Sequence, residues 1–243
     1  MRALFLIAAL LLPFQSRPAD APTGESILYR VEWRLITAGS ARLGWKDTGS
    51  GYQARLQLQS AGLISMLFPV NDLYTAEMNR NLCVASTFLS AHEGLRSRET
   101  TVTYDGGRRK ASYAERDLRR NATVGAFQTE IPACTQEITG ALYRLRGMRL
   151  AVGKSVEIPL SDGKKSVMAR VEAQQQETVE TPAGKFQTIR YEAFLFNDIL
   201  YHRNGHLYVW LTDDDRRLPV QIRARLEFPV GSITLQLEKA EGT

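Results

Sequence analysis

Tyr52–Ser60, YQARLQLQS, alternates without a break. Tyr52, Ala54, Leu56 and Leu58 fall on one face, and Gln53, Arg55, Gln57 and Gln59 fall on the other. A period of two belongs to a strand with one side on a core and the other in water. The same period lies just upstream. In Ile27–Leu35, ILYRVEWRL, the residues Tyr29, Val31, Trp33 and Leu35 share a face opposite Arg30, Glu32 and Arg34. In Ala41–Lys46, ARLGWK, Ala41, Leu43 and Trp45 do so again. Thr37–Ser40, TAGS, reads as a connection, and Asp47–Gly51, DTGSG, reads as a turn by composition. Three such strands joined by short turns make an antiparallel meander.

Working downstream, Ala61–Asp72, AGLISMLFPVND, breaks the alternation. Leu63, Ile64, Met66, Leu67 and Phe68 crowd together before Pro69, which predicts a short helical turn or an apolar loop. Loops are usually polar because they cross the surface. This one is read as a plug in the end of a barrel, as a lip contacting a lipid-like ligand, or as a protein interface. Strands are expected to resume at Leu73–Asn79, Thr87–Ala91, Glu99–Tyr104 and Arg109–Glu115, with Asp105–Lys110, DGGRRK, supplying positive φ at a hairpin.

A helix is predicted after Cys134. Thr135 is placed to cap it, and Ile138, Ala141, Leu142 and Leu145 follow at helical spacing. Arg144 and Arg146 suit its C-terminal end, and Gly147 stops it. The last third returns to strands: KSVEIPL, SVMARVEAQQQETVE, KFQTIRYEAFLF, HLYVWL, VQIRARLEF and SITLQLEKA. Thr181–Gly184, TPAG, is a hairpin turn. No internal linker or fixed-period repeat is visible, so residues 25–243 are expected to form a single β-rich domain.

The N-terminus, MRALFLIAALLLPFQSRPADAP, has the layout of a secretory signal peptide: Arg2, an apolar run Ala3–Leu12, then Pro13 and a polar stretch. Residues 1–20 are assigned to it, with cleavage between residues 16 and 24; a retained N-terminal anchor is the alternative. The run is too short to span a bilayer comfortably. An exported, periplasmic or extracellular location permits a bond between the two cysteines, Cys83 and Cys134. Two free thiols are the alternative. Neither cysteine lies in a CxxC motif or has a histidine at ligand spacing, which argues against a zinc or redox site.

Hydrophobic residues make up 44% and charged residues 23% of the 243, a globular balance. The net charge of +5 is dispersed, without the basic-aromatic block of a nucleic-acid binder. No transmembrane helix is expected beyond the leader. Nucleophile elbows, HExxH helices, Walker loops and dinucleotide fingerprints are all missing, so no catalytic residue, cofactor or metal is assigned. Asp213–Asp215 within TDDDRRLP are read as a strand reversal neutralised by Arg216 and Arg217, not as a calcium loop. In the strand that follows, Val220, Ile222, Ala224, Leu226 and Phe228 share a face. His202 and His206 bracket Asn204-Gly205, a hairpin signal that would put the two rings on opposite faces. His92 stands alone.

Taken in order, LYRVEWRLITAGSARLGW, VTYDGG, IPACTQEITGALYRLR, VETPAGKFQTIRYE and LYVWLTDDDRRLPVQIRARLEFPVGSITLQL resemble the bacterial exported proteins grouped as domain-of-unknown-function family 3108. The resemblance spans almost the whole chain after the leader. It implies a β-rich exported protein and transfers no catalytic or ligand residues. The fold it implies is similar to the curved sheets of periplasmic lipoprotein carriers, whose concave side holds acyl chains beneath a helix; this is analogy at the level of fold. The expected architecture is mostly β: a strongly curved antiparallel sheet or partly open β-barrel with one packed α-helix. Three functions stay open: binding or carrying a lipid-like or envelope-derived ligand, a structural or assembly role in the cell envelope, and an enzyme acting on envelope glycans or lipids. For the first, the candidate ligand-binding residues are Leu63, Met66, Phe68, Trp33 and Trp45.

Overall fold

The computed structural model describes residues 24–242, so the leader expected at 1–20 lies outside the described residues. The described residues begin with the expected meander, β1 (Gly24–Trp33), β2 (Ile36–Asp47) and β3 (Gly51–Ser60). A six-residue helix, α1 (Gly62–Leu67), leads to β4 (Asn71–Asn79), β5 (Val84–Glu93), β6 (Arg96–Asp105), β7 (Lys110–Asp117) and β8 (Ala122–Glu130). Helix α2 (Ile138–Arg146) then separates these from β9 (Ser155–Ser161), β10 (Ser166–Thr181), β11 (Gly184–Ala193), β12 (Gly205–Thr212), β13 (Pro219–Leu226) and β14 (Ser232–Glu241).

All fourteen strands form one antiparallel sheet, ordered β8-β7-β6-β5-β4-β3-β2-β1-β14-β13-β12-β11-β10-β9. Each strand pairs with its sequence neighbour except at the centre, where β1 pairs with β14. The sheet is curved and unclosed, with β8 and β9 as its edges. The edge of β9 is shielded in part by the chain ahead of α2: Gln136 N–H donates to the Pro159 carbonyl at 2.8 Å, and Ser161 N–H to the Gln136 carbonyl at 3.0 Å. Proline, which has no N–H to give, fits such an edge.

The two ends of the sheet meet through side chains. The β9–β10 turn sits on β6 so closely that a Cβ at Gly163 would lie 2.6 Å from Val102 Cγ2. From that turn Lys164 reaches Glu115 of β7 (3.7 Å), and Thr129 of β8 donates to the Lys164 carbonyl (3.0 Å).

Helix α2 lies on the concave side. Tyr143 stacks on Trp45 with ring centroids 3.7 Å apart, and Trp45 stacks in turn on Tyr52 at 5.1 Å. Arg146 forms a buried, two-pronged pair with Glu25 of β1 (2.5 and 2.8 Å), which also accepts from Tyr143 Oη (2.6 Å). The same guanidinium donates to the Arg217 and Arg216 carbonyls at 3.0 and 3.2 Å. Cys83 and Cys134 form a disulfide that ties the lead-in to α2 to the β4–β5 turn.

Several sequence expectations change. TAGS is not a connection but part of β2; the reversal is Arg34–Leu35, both at positive φ, which puts Leu35 in solvent and not on the core face. Glu137, not Thr135, caps α2, while the buried Thr135 donates to the Pro159 carbonyl (3.3 Å). Positive φ in the β6–β7 turn falls on Arg109, and Gly106 is needed for close approach, since a Cβ there would lie 2.2 Å from the Ala133 carbonyl oxygen. Asn204-Gly205 is no hairpin: residues 194–204 make a longer loop, and Gly205 opens β12. β13 ends at Leu226, leaving Phe228 exposed in the next turn. β8 was not anticipated; it is exposed on both faces, so its sequence carries no alternation.

Candidate functional site

Three aspartates that read as a turn are one. Asp214 accepts from Thr212 Oγ1 (2.6 Å) and from the Arg217 backbone N–H (3.0 Å). Asp213 accepts from Gln176 (2.8 Å), and Asp215 pairs with Arg149. Arg217 does not neutralise them with its side chain, which points inward to Tyr191 Oη (2.6 Å). The carboxylates therefore diverge, and among the described residues no three His, Cys, Asp or Glu side chains gather as a metal site would require. His202 bonds Asp198 (2.7 Å) in the 194–204 loop, His206 bonds Glu192 (2.6 Å) on β12, and His92 lies between Ser90 and Ser97 on the surface.

The site with convergent chemistry lies on the concave side, beside the start of α2. A cavity of about 200 Å³ opens between β4, β5 and β6, the end of β9 and the 194–204 loop. Leu89, Val102, Leu160 and Leu200 give it apolar walls. Its polar lining comprises Thr87, Thr100, Ser161, Asp162 and three tyrosines besides Glu137, which is fully buried. The carboxylate accepts from Tyr74 Oη (2.9 Å), Thr139 N–H (2.8 Å), Thr139 Oγ1 (2.6 Å) and Gly140 N–H. Burial raises the Glu137 carboxyl above its ordinary value, and these hydrogen bonds only partly oppose the rise. Burial also raises the neighbouring phenols, Tyr74 and Tyr104 strongly and Tyr201, whose side chain is partly exposed at the cavity mouth, to about 12. All three stay protonated at neutral pH; Tyr74 and Tyr104 already donate, to Glu137 and to the Ser161 carbonyl (3.5 Å), and offer their hydroxyl oxygens as acceptors. The arrangement can hold a small amphipathic molecule, its polar end among hydroxyls and its apolar end against aliphatic walls.

The five residues chosen from sequence lie elsewhere. Trp45 is buried between Tyr52 and Tyr143 as core packing. Trp33 is partly buried at the end of β1, donating to the Val230 carbonyl (2.6 Å). Leu63, Met66 and Phe68 are exposed on and just after α1, and Ile64 is the residue of that segment packed against the core. Sequence reasoning missed Glu137, Tyr74, Tyr104 and Tyr201. An acidic residue directly ahead of a helical pattern was a signal for Glu137 as a cap. The tyrosines come from distant strands and a loop, with no shared sequence signal.

Fold and site define a half-open antiparallel β-barrel clasping a helix, with a pocket beside that helix. The chain belongs to the family described as "Protein of unknown function (DUF3108)", which matches residues 28–238. Among solved structures, it is similar to a β-barrel-like protein of the domain of unknown function DUF1849 from Brucella abortus: 11% identity, TM-score 0.58, covering 91% of this chain and 98% of that one. That likeness concerns the fold alone. A protein with a YmcC-like fold from Bacteroides fragilis matches at 11% identity and TM-score 0.37 over 89% of this chain and 95% of its own. A protein from Parabacteroides distasonis described as a lipoprotein candidate matches at 9% identity and TM-score 0.35, over 93% and 100%. Neither superposition is close enough to carry an argument. No curated protein matches the sequence.

Proposed function

We propose that this protein is an exported binding module that holds a small, uncharged, lipid-like molecule in the cavity beside α2. One observation carries the reading: aliphatic walls meet the buried Glu137–Tyr74 pair and neighbouring hydroxyls inside a cavity of about 200 Å³. The buried carboxyl disfavours a second anion beside it, so an alcohol or ester fits better than a fatty acid. The signal-peptide layout and the Cys83–Cys134 bond support a periplasmic or extracellular location, because disulfides persist in oxidising compartments.

Calorimetric titration with 1-octanol tests this. Saturable heat is expected from the wild-type protein. It should vanish in Leu89→Trp, which fills the cavity, and weaken about tenfold in Tyr74→Phe, which removes a hydroxyl. Octanol heats that are absent, or equal in wild type and Leu89→Trp, would leave a filled envelope scaffold as the better reading. The stacked interior of Trp45, Tyr52 and Tyr143 favours that alternative.

A further inference from the structure

In an antiparallel sheet of consecutive strands, alternate connections share an end. Here one end carries the β1–β2, β3–β4, β5–β6, β7–β8, β9–β10, β11–β12 and β13–β14 connections. Ten of the fifteen exposed large apolar side chains among the described residues lie on these connections or on the first residue of the strand beside them, so the exposure is polarised to one rim. Leu35, at the β1–β2 tip, is 93% exposed. On α1, Met66 and Leu67 are each 81% exposed. Leu95 stands at the β5–β6 tip and Phe228, 89% exposed, at the β13–β14 tip. Monomeric soluble proteins seldom gather exposed apolar side chains this way without a partner.

The tips form one connected row. Asn204 of the β11–β12 loop bonds Glu227 (3.2 Å), and Arg34 lies against the β13–β14 turn. Ala61, ahead of α1, donates to the Ala38 carbonyl (2.8 Å). Gly94 donates to the Pro69 carbonyl (2.7 Å), with the Phe68 ring over it. Leu35 occupies a left-handed φ of 72°, a conformation that disfavours leucine, so the turn is strained in a way that presents this side chain.

The charges on the same seven connections identify the partner. Arg34, Arg119, Arg120, Lys164, Lys165 and Arg203 face Asp162, Asp198 and Glu227, a surplus of three positive charges. The Arg34 guanidinium lies 5.3 Å from the Trp33 ring centre and 5.9 Å from that of Phe228. Aromatic rings beside a cation, among separate aliphatic tips, form a surface suited to the headgroup layer of a bilayer, where apolar groups dip in and bases stay at the phosphates. A folded protein partner would call for a shaped groove; this rim offers separate protrusions.

We infer that this rim docks the protein onto an anionic lipid surface, with Leu35, α1 and Phe228 entering the interfacial layer. The inference is independent of the cavity ligand.

The test uses the full chain with Leu67→Cys labelled by an environment-sensitive nitrobenzoxadiazole dye, the native cysteines being paired. Ser50→Cys, in the β2–β3 turn at the opposite end, is the control. With vesicles of phosphatidylglycerol and phosphatidylcholine, emission at position 67 should rise and shift to the blue, while position 50 stays unchanged. The response should weaken with phosphatidylcholine alone and with added salt. The variant L35S/L67S/F228S should partition at least about tenfold less while melting as the wild type does, because all three side chains are exposed. Leu89→Trp should leave vesicle binding intact, separating failure of the cavity reading from failure of this one. The inference is overturned if position 67 ignores anionic vesicles, or if both positions respond alike. It is also overturned if the signal rises with protein concentration without lipid, which would assign the rim to a second copy of the chain.

Discussion

Glu115 concentrates the chemistry of the seam in one side chain. Burial alone would raise its carboxyl, but hydrogen bonds from Tyr113 (2.6 Å) and Arg98, and the charges of Lys164 and Arg98, outweigh it and hold the group down to about 2. A carboxyl lowered on folding stabilises the native state above its unfolded value, and the gain fades as pH falls through the native one. Melting temperature should therefore drop between about pH 4.5 and pH 2 more steeply in wild type than in Glu115→Gln. Parallel pH curves for the two proteins would remove Glu115 from the account of the seam. None of this was legible in the sequence: Glu115 looked like one more polar residue at the end of a strand, and Lys164 is a β9–β10 turn residue that only curvature brings to it. Trp45 teaches the converse. Its inward face was read correctly from alternation, but the helix that covers it decided whether that face was a ligand wall or packed core.

At the scale of elements, α2 holds the concave side by one buried ion pair. Arg146 and Glu25 are both almost wholly covered, and Arg146 also holds two carbonyls of the β12–β13 turn. Removing one partner of such a pair strands the other charge, at a cost of about 3–5 kcal/mol, whereas removing both costs much less. Arg146→Met should lower the unfolding free energy by that amount, and Glu25→Gln with Arg146→Met should recover part of it. A double variant no better than the single would show that the lost carbonyl contacts, not the stranded carboxylate, carry the cost. The helical spacing of Ile138, Ala141, Leu142 and Leu145 predicted α2 itself. The basic C-terminal end was read as a dipole effect, although Arg146 in fact turns inward to Glu25, over a hundred residues away in sequence.

For the whole molecule, the covalent tie matters most where the sheet is weakest. Cys83–Cys134 closes a span of 51 residues and fixes the chain between the two unpaired edges. Loop-closure entropy makes such a bond worth about 4 kcal/mol. Replacing both cysteines with alanine should lower unfolding stability by about that much and speed amide exchange through residues 131–147, ahead of the central strands. Unchanged exchange there, with a uniform loss elsewhere, would mean that the seam holds without the bond.

The sequence by itself determined the β class, the meander, α2, the aspartate turn and the two cysteines available to pair. Each rests on local physics: alternation reports which side of a strand is buried, and turn or cap chemistry acts within a few residues. Only the tertiary structure decided that β1 joins β14 at the centre of the sheet, that β8 and β9 do not pair with each other, and that Glu137 meets Tyr74. It also decided that Leu35, Leu67 and Phe228 line one rim. Those facts depend on register and curvature summed over fourteen strands, and a period of two carries no information about which strand lies next to which.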